Sequence, residues 1–210
     1  MWKGISINNL LSEGGIVSGL DYSEESVGVV NEKFKNRENW KGCILGAGEK
    51  LPYQDNSFDV IVCVETIEHV SDKYLLNMFK ELFRILKNDG LFLVTTPNDE
   101  QLEENFVFCP NCDHAFHRMQ HIRTWNRNTL SQYAAQVNFR TVFIDSLNFK
   151  SFNRNPVAVK SIFDLSLRKI FQLMEYAFFT LSGRKRQLEF LLKKYNNRKH
   201  LAAVFTKMML

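Results

Sequence analysis

Long apolar runs, prolines and cysteines are all scarce in this 210-residue sequence. The strongest apolar run, Ile170 to Leu181, has 12 residues and contains Glu175, which makes it too short and too interrupted to span a bilayer. Nothing that follows Met1-Trp2-Lys3-Gly4 forms the apolar region of a secretory signal, so none is predicted. There is no internal repeat and no low-complexity segment. With 45% apolar and 24% charged residues, disorder and collagen-like repeats are excluded. Four cysteines do not make a disulfide-stapled miniprotein of a chain this long. Two of them, Cys43 and Cys63, stand alone in apolar strands, which implies reduced thiols and a cytoplasmic location.

What the sequence does have is one globular core and an uneven distribution of charge. Residues 1–150 carry 15 Lys/Arg against 20 Asp/Glu, whereas residues 151–210 carry 12 against 3. An acidic body of 150 residues thus precedes a basic helical segment, 151–210, that returns to a last strand at about 200–206.

Strand and helix patterns alternate through the acidic body. An apolar run, Ile16 to Asp21, is followed by Ser23 as a helix N-cap and a helix to about Lys35. A short strand is expected around Gly42–Leu45 and a strand apolar on both faces over Phe58–Val64. Leu75, Leu76, Phe79, Leu82, Phe83 and Leu86 recur at helical spacing over Lys73–Lys87, and Asn88-Asp89-Gly90 is expected to end that helix. A strand over Leu91–Thr95, a helix over about 128–137 and a strand over about 140–148 complete the series. This alternation predicts an α/β fold with a mostly parallel, doubly wound sheet, which binds ligands beyond the carboxyl ends of its strands. The polar residues at those ends are Asp21-Tyr22, Gly46 to Glu49, and Glu65 to His69. Asp21 can accept two ribose hydroxyls or cap the following helix, and Tyr22 can stack on a purine or cover the sheet edge.

Several of these segments, in this order, resemble the class I S-adenosylmethionine-dependent methyltransferases of the "type 11" kind: Gly19-Leu20-Asp21-Tyr22-Ser23, Glu49 to Tyr53, Asn56 to Ile61, Glu68-His69-Val70, and Leu86 to Gly90. The resemblance covers residues 4–97 and, more weakly, 128–148 and 200–207. It implies a Rossmann-like methyltransferase fold, the cofactor S-adenosylmethionine, and transfer of the cofactor's methyl group to a nucleophile. By the same resemblance Asp21 is the ribose-binding acid and Tyr22 flanks the adenine. Gly48 and Glu49 lie in the loop passing the adenine, Cys63, Val64 and Glu65 line the methionine part, and His69 lies near cofactor and substrate.

The sequence departs from the family at two places. Ala47 stands where an Asp usually accepts the adenine amino group, a loss of about 1 kcal/mol. Gly4 aligns with the last glycine of the family's opening glycine-rich turn, and Met1-Trp2 stand where the rest of that loop belongs. The sheet is therefore expected to lack its N-terminal central strand, as in a shortened chain, leaving the strands ending at Asp21 and Val64 without ladder partners between them.

A Cys/His segment spans 109–121. Cys109 and Cys112 form a Cys-x2-Cys knuckle that His117 and His121, with His114 as an alternate, can complete as a zinc site. Paired free thiols and cleft-lining histidines are the competing reading. His117 and His121 are equally the candidate general bases, since neutral imidazole titrates near working pH. A zinc-bound histidine cannot also be the base.

In the basic segment, apolar residues from Ile162 to Phe178 precede Arg184-Lys185-Arg186 and Lys193-Lys194. Residues 157–195 read as two helical pieces broken at Ser182-Gly183, either a cap packed on the sheet or a peripheral contact with an anionic membrane. The aromatic–basic alternation of RNA-binding modules is missing, which argues against a nucleic-acid partner. The expected activity is S-adenosylmethionine-dependent methylation of a small-molecule, glycan or lipid-linked acceptor. The alternative is a catalytically inactive, truncated methyltransferase-fold protein acting as an interaction or membrane-surface module.

Overall fold

A computed structural model describes residues 5–46, 50–147 and 200–207. The elements expected over 157–195 therefore lie outside the described residues. In chain order the elements are α1 (Ile5–Ser12), β1 (Val17–Asp21), α2 (Glu24–Phe34), β2 (Trp40–Leu45), β3 (Phe58–Val64), α3 (Asp72–Ile85), β4 (Leu86–Pro97), a 3-10 turn at Leu102–Asn105, β5 (Phe106–Cys109), β6 (His114–His117), α4 (Arg127–Ala135), β7 (Phe139–Leu147) and β8 (His200–Lys207).

The strands fall into three sheets. β1 and β2 form a parallel pair, β3-β4-β8-β7 form a four-stranded sheet, and β5-β6 form a hairpin. β3 runs parallel to β4, whereas β8 is antiparallel to both β4 and β7, so the larger sheet is mixed. No ladder joins β1 to β3 among the described residues. A link between the two sheets is the Tyr53 hydroxyl, which donates to the Gly19 carbonyl at 3.5 Å.

Local sequence explains most boundaries. Ser23 caps α2 by accepting the Ser26 N–H, with Glu24 and Glu25 in the first turn where the helix dipole favours negative charge. α3 buries Leu75, Met78, Phe79, Leu82 and Ile85, residues spaced three and four apart along one face. The expected end of this helix at Asn88-Asp89-Gly90 is wrong. The helix stops at Ile85, and Leu86 already pairs with Phe58, so those three residues lie within β4 at a shift in its register. Gly90 is needed there because a Cβ would come within 2.7 Å of Leu86 Cδ1 and 3.0 Å of the Asp59 carbonyl.

β8 is buried at six consecutive positions, Leu201–Thr206, because it lies between two other strands. Phe92, Phe139 and Phe205 meet at centroid distances of 5.3–6.0 Å, with Phe79 edge-on to Phe92. Among the described residues, no helix is long and apolar enough to cross a membrane.

Arg84 at the end of α3 fixes the approach to β3. Its guanidinium donates to the Leu51 and Tyr53 carbonyls, to Asp55 Oδ1 and to both oxygens of Glu81, and Glu81 Oε2 in turn accepts the Leu51 N–H at 2.7 Å. The hydrogen bond from Arg84 holds the Glu81 carboxyl below its usual value of 4.5. A depressed folded-state pKa contributes stability that is complete above the unfolded-state value and disappears as pH falls through the folded-state value. Glu81→Gln is expected to lower the unfolding free energy by about 1–3 kcal/mol near neutrality. Urea titrations should show the gap between wild type and variant narrowing below pH 4.5; a gap unchanged at pH 3 would show that the clamp is not ionic. Phe92→Ala, at a fully buried position, is expected to cost about 3–5 kcal/mol in the same assay.

Candidate functional site

The polar side chains of the larger sheet collect at the carboxyl ends of β3 and β4. Val64 pairs with Thr95, and the next residue, Glu65, donates its N–H to the Thr95 carbonyl at 2.8 Å. Glu65 adopts φ 46°, in the left-handed region that disfavours side chains other than glycine, asparagine and aspartate. Its Oε2 lies 3.3 Å from Nδ1 of His200, which β8 brings to the same end by pairing His200 with Pro97. Glu65 Oε1 is buried and has no hydrogen-bond partner among the described residues.

Three residues on, Glu68 is 1% exposed. Thr96 Oγ1 donates to its Oε2 at 2.9 Å, and its backbone carbonyl accepts the Ile122 N–H. Glu68 Oε1 is buried without a partner among the described residues. Burial, and then the charge of Glu65, push this carboxyl up to about 8. Burial also pushes the Cys63 thiol, one strand residue before Val64, up to about 12, so it is not a nucleophile near neutrality.

A return segment completes the cluster. The bridge of Asn98 with Trp125, reinforced by the Asp99 N–H donating to the Trp125 carbonyl, ties residues 121–125 to the end of β4. His117 and His121 stack at 4.5 Å with an interplanar angle of 22°, and His69 meets His121 edge-on at 4.8 Å. Burial lowers the pKa of His69, and the neighbouring imidazoles add to that effect.

Hydrogen-bond partners fix which nitrogen of each neutral ring carries the proton. His69 Nδ1 faces the Gln120 carbonyl at 3.2 Å, an acceptor, so Nδ1 is the donor and Nε2 holds a lone pair. His121 Nδ1 faces Glu100 Oε2 at 2.5 Å, with the same consequence. His117 is reversed: its Nδ1 accepts the N–H groups of Met119 at 3.3 Å and His121 at 3.1 Å, so Nε2 carries the proton and lies 3.4 Å from Glu100 Oε1.

This arrangement bears directly on the residues expected from sequence. His69, His117 and His121 come together, with Val64 and Glu65 at the same strand end. His117 cannot act as the expected base through Nδ1, because two backbone donors already occupy that lone pair. Cys109 and Cys112 do not join the imidazoles. In the β5–β6 hairpin Cys109 pairs with His114 at the turn, while His117 pairs with Phe106 three ladder positions away, about 10 Å at 3.3 Å per residue. His114 stays beside the turn, its Nδ1 against the Cys112 carbonyl. The expected knuckle is therefore the end of a hairpin, and a four-ligand set of these residues is not assembled.

Asp21 ends β1, where its Oδ1 accepts the Ser23 N–H at 2.9 Å, and Tyr22 is 76% exposed. Gly4, Gly48 and Glu49 lie outside the described residues. Sequence reasoning missed Glu68, Glu100 and Thr96. Glu68 was within a quoted motif beside His69, but nothing local marks Glu100 as a partner of a residue 21 positions later.

The opposite tautomers are testable. In metal-free protein at pH 8, imidazole nitrogen shifts from ¹⁵N NMR are expected to show protonated Nδ1 for His69 and His121 and protonated Nε2 for His117. Identical tautomers at all three rings would contradict the hydrogen-bond assignment.

Comparison with known proteins agrees with this architecture. Residues 3–94 match the family model described as "Methyltransferase domain". A probable S-adenosylmethionine-dependent methyltransferase of Mycolicibacterium smegmatis is 38% identical over 82 residues, 39% of this chain and 30% of that protein. A demethylmenaquinone methyltransferase of Staphylococcus aureus is 36% identical over 87 residues, 41% of this chain and 35% of its own length. The matched region thus spans about a third of these relatives. The crystal structure of a SAM-dependent methyltransferase from Archaeoglobus fulgidus superposes with a TM-score of 0.60 at 15% identity, covering 98% of this chain and 82% of that one, a likeness of fold alone. Residues 3–94 are thus similar to the methyltransferase domain family, and the fold is the Rossmann-like fold of class I S-adenosylmethionine-dependent methyltransferases.

Proposed function

We propose that this chain binds S-adenosylmethionine across the carboxyl ends of β1 and β3 and transfers its methyl group to a small-molecule, glycan or lipid-linked acceptor. The observation that carries the reading is that two acids matched by the family resemblance, Asp21 and Glu65, both stand at carboxyl ends of parallel strands, where such sheets bind ligands. Glu65 Oε1 adds to it: a buried acceptor without a donor, on a residue with strained backbone, is suited to the ammonium of the cofactor's methionine part. Asp21 would accept ribose hydroxyls through the oxygen that does not accept the Ser23 N–H.

The sulfonium is already activated by its charge, so the protein's contribution is to orient donor and acceptor for in-line attack. Where the acceptor must lose a proton, His121 is the base this arrangement favours. Glu100 holds its Nδ1–H and leaves Nε2 free to take the proton. All four cysteines are free thiols, which supports a reducing, cytoplasmic compartment.

Calorimetric titration of the full chain with S-adenosylhomocysteine tests the reading. Micromolar binding is expected, weakened 10-fold or more by Asp21→Ala, as for loss of hydrogen bonds to a charged group. Absence of binding by a chain with native circular dichroism would overturn it.

A further inference from the structure

Three side chains at the carboxyl ends of β3 and β4 have more ligating capacity than the fold consumes. Glu68, His69 and His121 each bring a donor atom within 4.8 Å of the other two. Glu68 Oε1 is a buried carboxylate oxygen without a partner among the described residues, and it lies 3.9 Å from His69 Nε2. Such an oxygen, buried and without a donor, is an open coordination position for a cation.

The geometry points to a divalent transition-metal site built from Glu68 Oε1, His69 Nε2 and His121 Nε2. The groups behind these donors are those that metal-binding histidines require. His121 is backed at Nδ1 by the Glu100 carboxylate and His69 by the Gln120 carbonyl, which orient the rings and leave each Nε2 as a ligand lone pair. Thr96 Oγ1 engages the other oxygen of Glu68, leaving Oε1 as the ligating one. Metal–ligand distances of about 2.1 Å place tetrahedral donors about 3.4 Å apart, so the three donors, which lie within 4.8 Å of one another, would draw together around an ion.

A second grouping, Glu100 with His117 and His121, also has its donors within 4.8 Å, but His117 rules it out. Its Nδ1 lone pair is taken by two backbone N–H groups, so Nε2 is protonated, and ligation there would demand an imidazolate. The thiols of Cys109 and Cys112 belong to neither group. Two imidazoles and one carboxylate select zinc, cobalt, manganese or iron rather than magnesium or calcium, and three protein ligands leave a position open for a ligand oxygen. Metal binding is independent of the methyl-transfer reading. If both hold, the ion occupies His121 Nε2 and activates an acceptor oxygen as a Lewis acid in place of the imidazole base.

The experiment uses the full chain, stripped with a chelator and titrated with Zn²⁺ and Co²⁺. One ion per chain is expected by elemental analysis, with a visible Co²⁺ spectrum lacking a thiolate charge-transfer band. Glu68→Gln and His121→Gln are expected to weaken Zn²⁺ binding at least 100-fold, and Glu100→Gln, which acts only through His121, by 10- to 100-fold. The Cys109→Ser/Cys112→Ser double variant and His117→Asn, whose amide oxygen can replace the Nδ1 acceptor, should bind within 2-fold of wild type. Should Glu68→Gln fail to fold, His69→Gln at a side chain 35% exposed replaces it. No uptake by natively folded chain, a thiolate band, or loss of binding confined to the cysteine variant would overturn the site.

Discussion

The position of β4 is the constraint on which the rest of the larger sheet and its site depends. Paired with β3 on one edge and β8 on the other, β4 fixes three chain segments at one end: Glu65 through the Thr95 carbonyl, His200 through its pairing with Pro97, and the 121–125 return through the bridge of Asn98. The strand itself is held by the aromatic core, in which Phe92 contacts Phe79, Phe139 and Phe205. Hydrophobic burial at the middle of the strand therefore determines the geometry of polar groups at its end. Nothing among those polar groups would offset their own desolvation without that scaffold.

Within the cluster, backbone groups rather than side-chain identity divide the labour among three histidines. His117 and His121 lie on one short segment and stack on each other, yet their protons sit on opposite nitrogens. The tight turn after β6 aims two N–H groups at His117 Nδ1, which puts that ring's proton on Nε2, buried and without a hydrogen-bond partner among the described residues. Glu100 receives His121 on Oε2, whereas its Oε1 stands 3.4 Å from His117 Nε2 without a hydrogen bond between them. Of the two rings, His121 alone retains a free lone pair, while that of His117 is taken by the backbone.

The fold was largely legible in the sequence because its signals are local. The apolar run of β3 and the spacing of apolar residues in α3 fixed elements whose boundaries the structure reproduces closely. The error at Asn88-Asp89-Gly90 has a definite cause: those residues ordinarily terminate helices, but here the pairing of Leu86 with Phe58 captures the chain into a strand four residues before the glycine. The site was legible only in part. Glu65 and His69 occupy motif positions, but the role of each histidine depends on which backbone groups face it, and spacing does not encode that. A Cys-x2-Cys pair signals a metal knuckle when the flanking chain folds back; the β5–β6 ladder instead keeps the thiols and His117 at opposite ends of a hairpin.

The separation of the β1–β2 pair from the four-stranded sheet bears on how a cofactor would be held. Asp21 ends a strand of the β1–β2 pair and Glu65 ends a strand of the larger sheet, and no backbone ladder sets the distance between them among the described residues. Side-chain contacts such as Tyr53 to Gly19, with the Arg84 clamp holding the segment that carries Tyr53, take the place of ladder bonds. A hydroxyl bond of 3.5 Å is a weak tie compared with a continuous ladder. A ligand engaging both acids would itself add to the connection between the sheets. Its binding free energy would then be partly spent on fixing their separation, whereas the Glu68–His69–His121 cluster, built wholly on β3, β4 and the return segment, needs no such adjustment. The two sites are thus expected to differ in kind: the cation site drawn from segments tied to one sheet, the cofactor site completed by its ligand.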